Sequence, residues 1–234
     1  IVGWGKNKES WGIYYLKIYG DPKQDAVWKT LDAHLTRLYQ LPNGSKIPIA
    51  CICVDSGYLP DEVYKFTKKR ENRKVFAIKG KGSYDVPYIG NYSRSNRYEA
   101  ALFTIGVDNG KEIMFSNLKN KIPEGDEPYP PGFCHFPSDK VEGIDRGYDK
   151  KYFEGLCSEK KVIKYKNGKA TFKWLKIVTR NEPWDLRNYA GAALEILNPN
   201  FEAVEKSLKR LSGAVEKAPK KVKKKKRRVR SSGI

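Results

Sequence analysis

The 234-residue sequence contains one methionine, two histidines and four cysteines. Cys51 and Cys53 alternate within an apolar stretch, while Cys134 and Cys157 stand alone, so neither a disulfide scaffold nor a paired zinc-ligand spacing is present. Four reduced thiols are expected. No apolar run approaches the roughly 18 residues of a membrane span, and no basic-then-apolar leader opens the chain. The glycine-rich Walker A pattern is missing, which excludes ATP hydrolysis by the chain as given. The nucleophile-elbow pattern is missing as well, and neither His34 nor His135 has an identifiable nucleophile partner. His34, on a predicted helix, reads as structural or exposed.

Acid is also short. The 46 Lys and Arg outnumber 27 Asp and Glu, a formal charge of +19. Residues 217–230 hold seven Lys, three Arg and no acid, so +10 sits in one terminal tail and +9 is spread over the body. Contact with a polyanion is expected of both. Hydrophobic residues at 39% and aromatics at 12% suffice for a substantial core. The first residue is Ile1, and Ile1-Val2-Gly3-Trp4 already reads as the inside of a strand, which suggests a fragment.

Trp11 to Tyr19, aromatic and β-branched, forms a hairpin with that first stretch through Lys6-Asn7-Lys8. Val27, Leu31, Leu35 and Leu38 make one helical stripe, with Asp25 as its N-cap. Ile47 to Val54 is a continuous apolar run, the pattern of a strand covered on both faces. Pro60-Asp61-Glu62 opens a helix that Lys68-Lys69-Arg70 closes. Val75 to Ile78 is the next strand, Lys79 to Arg97 a loop, Ala101 to Val107 a strand and Lys111 to Leu118 a short helix. After a proline-rich connection, strands at Ile163 to Tyr165 and Thr171 to Val178 flank the turn Asn167-Gly168. Trp184 to Leu197 and Phe201 to Leu211 close the pattern as helices. The expected organisation is a domain over residues 1–200, a helix over 201–216 and a basic disordered tail over 217–234. The fold class is mixed α/β with a parallel centre and an antiparallel edge, an RNase H-like layout with its first strand missing.

In open α/β sheets functional groups gather beyond the carboxyl ends of the central strands, which makes Asp55 a candidate, although a turn or cap role is the commoner use of an acid at such a place. Asp185, in Asn181-Glu182-Pro183-Trp184-Asp185, either complements a helix dipole or joins Asp55, with Arg180, Trp184 and Arg187 as unusual neighbours. Two carboxylates at one edge can hold Mg²⁺ or Mn²⁺ and act on phosphodiesters. His135, between aromatic residues, reads as packed or catalytic.

In order, VGWG…ESWGIYYLKIYGDP, ICVDSGYLPDEVYKF, PPGFCHFP, KYFEGLCSEK and NEPWDLRNYAGAALEIL resemble the C-terminal nuclease portion of the large terminase subunit of lambda-type tailed phages, over roughly Ile1 to Leu197. The resemblance implies a metal-dependent RNase H-like endonuclease that cuts concatemeric double-stranded viral DNA while it is packaged into a procapsid in the cytoplasm of a bacterial host. It implies Asp55 and Asp185 as acids of the Mg²⁺ or Mn²⁺ site, Glu182 and Glu159 as auxiliary ligands, and a further role for His135. A third family Asp, on a strand ahead of VGWG, is absent from this sequence, as is the ATPase motor. The implied partners are DNA, a small terminase subunit and the portal protein, the last docking beyond about Phe201. Phosphate contacts are expected from Lys79, Lys81, Arg94 and Arg97 in the loop and from Lys223, Lys224 and Arg227 in the tail. The competing expectation is a non-catalytic DNA-binding or portal-docking module of the same fold.

Overall fold

The computed structural model describes residues 1–41, 44–138, 140–141, 144–166 and 168–217. The tail beyond Lys217, with Lys223, Lys224 and Arg227, and the turn residue Asn167 lie outside the described residues. Among the described residues thirteen strands and six α-helices follow in chain order: β1 (Val2–Trp4), β2 (Ser10–Gly12), α1 (Asp25–Leu35), β3 (Tyr39–Gln40), β4 (Lys46–Ile47), β5 (Ile52–Asp55), α2 (Pro60–Lys68), β6 (Val75–Lys81), β7 (Ile89–Arg94), β8 (Ala101–Gly106), α3 (Val107–Leu118), β9 (Cys134–His135), β10 (Lys140–Val141), β11 (Ile144–Asp145), α4 (Lys150–Leu156), β12 (Glu159–Lys166), β13 (Lys169–Lys176), α5 (Glu182–Leu197) and α6 (Phe201–Lys217). The class is mixed α/β, as expected, but the strands divide among several small sheets. No described helix is long and apolar enough to cross a membrane.

The largest sheet has the order β5-β6-β8-β7, with β5, β6 and β8 parallel and β7 antiparallel to β8. This corrects two expectations. The apolar run ending in Asp55, read as a strand covered on both faces, is only half-buried, and its strand β5 lies at the edge of this sheet with β6 as its neighbour. The stretch read as a loop over Lys79 to Arg97 carries the end of β6 and the whole of β7; its Gly, Ser and Tyr residues hide a half-exposed strand interrupted by a register shift between Ile89 and Tyr92. The first hairpin exists but is short. β2 stops at Gly12, since Tyr15 N–H leaves to bond Arg146 O, and β9 joins β2 in parallel to make a separate three-stranded sheet.

Two apolar clusters meet along α5. Met114, Tyr148, Tyr152, Leu156 and Trp184 pack around its first turns, and Ile78, Ile105 and Ala192 around its later ones. Burying both ends of one helix fixes its axis against the sheet and so fixes where Asp185 lies. The approach of α3 to α5 depends on Gly110, where a Cβ would run into Asn188 Oδ1 and the Tyr88 ring. α4 was not foreseen; it is one short helix whose N-cap Asp149 accepts a 2.7 Å bond from Tyr152 N–H.

Candidate active site

β5 delivers Asp55 to the carboxyl edge of the parallel strands, in register with Ile78. Its carboxylate takes the turn role and also reaches α5: Oδ1 accepts the Gly57 N–H at 2.9 Å, while Oδ2 accepts the Tyr189 hydroxyl at 3.3 Å. Tyr189 belongs to α5, one turn after Asp185, so the two share a helix face. The Asp55 charge in turn acts on Asp185. Residues 130 positions apart in sequence are thereby brought to one edge.

Asp185 is part of a wider polar network. Asn181 Nδ2 donates to Asp185 Oδ2 at 2.8 Å and to Glu159 Oε1 at 3.1 Å, and Lys176 Nζ donates to Asn181 Oδ1 at 2.8 Å. Lys111 Nζ lies 2.9 and 2.8 Å from the two Glu159 oxygens and 3.4 Å from Asp185 Oδ1. Burial pushes the Asp185 carboxyl above its ordinary range, with the Glu159 and Asp55 charges adding and Lys111 opposing. Burial likewise raises Asp108, one turn before Lys111. Burial and the two nearby aspartates push the Tyr189 hydroxyl strongly up, so it remains a donor.

Other expected site residues fall elsewhere. Glu182 is exposed, and its charge acts on Tyr15 rather than on this network. His135 stacks on Trp11 at 5.0 Å, packs against Tyr129 and Phe133, and bonds Glu9 at 2.6 Å in a nest of its own. Trp184 is core, 5.5 Å from Trp174, and Arg187 is buried with a 2.6 Å bond to Ser10 Oγ. Lys79 and Lys81 lie just beyond the Asp55 register on β6, where the strand's period of two turns them to the opposite face of the sheet from Asp55. Arg94 pairs with Ala101 at the opposite end of β8, five residues or about 16 Å from Gly106, and its guanidinium is held by Glu71 at 2.9 Å. Arg97 pairs with Asp61 at 3.3 Å.

Reading from residue types alone missed Lys111, Asn181 and Tyr189. A lysine inside a helix reads as solvated, and only its depth of burial in the fold marks it. Among the described residues no three His, Cys, Asp or Glu side chains converge as a metal cage.

Asp55 at the carboxyl end of a parallel strand, and Asp185 with Lys111 on the helices packed against it, stand where open α/β sheets carry their functional groups. The chain belongs to the family of terminase large subunit gpA endonuclease domains, whose model matches residues 1–207. It is 33% identical over 197 residues to the large terminase subunit of Escherichia phage lambda, a match that covers 84% of this chain and 30% of that protein. With the large terminase subunit of Enterobacteria phage P21 it shares 28% identity over 197 residues, at the same coverage of each. The chain thus spans about 30% of the length of these curated relatives. No solved structure matches it.

Proposed function

We propose that this endonuclease domain hydrolyses phosphodiester bonds of concatemeric double-stranded DNA during viral packaging, with Asp55 and Asp185 as its metal-binding acids and the parallel strands with α5 as an RNase H-like core. What supports the reading is that α5 carries both Asp185 and, one turn on, Tyr189, whose hydroxyl donates to Asp55 at the end of β5. Mg²⁺ and Mn²⁺ favour oxygen donors, and Mg²⁺ is commonly held by one or two carboxylates together with water and substrate phosphate, so this donor pair fits. Bound there, a divalent ion supplies Lewis-acid polarisation of the phosphate and an activated water.

The protein's own part is positional. Gly57 N–H and Tyr189 fix the Asp55 carboxylate from two sides, and Asn181 and Lys111 fix that of Asp185. Lys79 and Lys81, on the other face of the sheet at that end of β6, would hold the DNA backbone as it passes around the edge, whereas Arg94 and Arg97 are already engaged by acids. The tail residues Lys223, Lys224 and Arg227 extend that affinity, and a small terminase subunit and the portal complete the packaging machine in the host cytoplasm. Nicking of supercoiled plasmid in Mn²⁺ tests the assignment. Asp55→Asn and Asp185→Asn should each reduce it by at least about a hundredfold, as loss of a metal ligand does at a site that relies on electrostatic stabilisation; cleavage that survives either change removes that residue from the site.

A further inference from the structure

Lys111 is 8% exposed, and the side chain of its partner Glu159 is 6% exposed. A charge taken this far from water needs close counter-charges, and the ammonium has them: both Glu159 oxygens within 2.9 Å and Asp185 Oδ1 at 3.4 Å. Asn181 bridges the same two carboxylates from its amide nitrogen, so the spacing between Glu159 and Asp185 is set by two donors. The ammonium therefore occupies the point between two acids that a cation would choose. Two-metal sites place their ions about 3.5–4 Å apart, sharing a carboxylate between them. Here Asp185 faces Lys111 with one oxygen and Asn181 with the other, and Asp55 lies beyond Tyr189.

We propose that the Lys111 ammonium is a built-in cation of the site, filling the position between Glu159 and Asp185 that a second divalent ion would take, so that the chain binds one metal ion instead of two. The proposal rests on the reading of Asp55 and Asp185 as metal-binding acids. Lysine suits the part because its ammonium is a compact point charge on a flexible stem. It makes Glu159 the lysine's counter-charge and not a metal ligand, and it makes Lys111 a positioning residue for Asp185.

Calorimetric titration of the whole chain with Mn²⁺ counts the ions directly. One ion per chain is expected for the native sequence and two for Lys111→Met, which frees Glu159 and removes the like charge. Should Lys111→Met fail to fold, Lys111→Gln, a shorter neutral side chain whose amide a bound ion can displace from Glu159, carries the same expectation, with circular dichroism as the check on folding. Two ions in the native chain, or one in a folded Lys111 variant, overturn the proposal while leaving the acid assignment standing. No uptake by the native chain overturns both.

Discussion

Two aspartates show how differently one residue type is used in this protein. Asp185 sits where burial raises its carboxyl, and a lysine and an asparagine hold it in place. Asp32, on α1, accepts from Arg70 through both oxygens at 2.9 Å and from Arg73 at 2.5 Å. The Arg70 hydrogen bonds, joined by Arg73, lower its carboxyl from 3.8 to about 2 against the opposing effect of burial. A folded-state value below the ordinary one means that the stability is present above pH about 4 and is lost as pH falls towards about 2. Asp32→Asn should cost about 1 kcal/mol at neutral pH, a network of partly exposed pairs being discounted for solvent screening. Urea unfolding of both chains would show the difference shrinking across that acid window; a pH-independent difference would contradict it. At this scale Asp55 was legible, because an apolar run ending in Asp-Ser-Gly announces a strand end. Lys111 was not, since its role depends on acids 48 and 74 positions away.

At the scale of elements, legibility followed the strength of the periodic signal. α5 showed itself by Leu186, Tyr189, Ala190, Ala193, Leu194 and Leu197, and the structure extends it back to Glu182. β12 and β13 surround Gly168, whose φ of +72° suits the turn read from the sequence; β12 starts earlier than Ile163, through Glu159 and two lysines, while β13 keeps the expected length but begins and ends two residues earlier. β7 and α4 were invisible, one broken by a register shift and the other only seven residues long. The element contact on which the site depends most is that of α3 with α5, which carry Lys111 and Asp185. Gly110→Ala would force a methyl into Asn188 and Tyr88. A loss of about 2 kcal/mol is expected from overpacking, read as a lower midpoint in urea, and an unchanged midpoint would show that the helices can separate freely.

At the scale of the whole molecule, periodicity identified the elements but could not say which strands pair. The first hairpin and the parallel strands follow one another in sequence, yet they belong to different sheets, and the antiparallel edge is supplied by β7. Net charge was equally silent about the site, which is a cluster of acids within a chain of charge +19. The body lysine in contact with it is Lys111, 3.4 Å from Asp185 Oδ1, and it matters for that place more than for its share of the charge.

The most direct test of that site is to load the chain with Fe²⁺ in place of Mg²⁺, add ascorbate and peroxide, and map where the radicals formed at the bound ion cut the backbone. The account predicts paired cuts around Asp55 to Gly57 and around Asp185, both lost in Asp55→Asn. Cuts centred instead on Glu9 and His135, or cuts that persist in that variant, would contradict it.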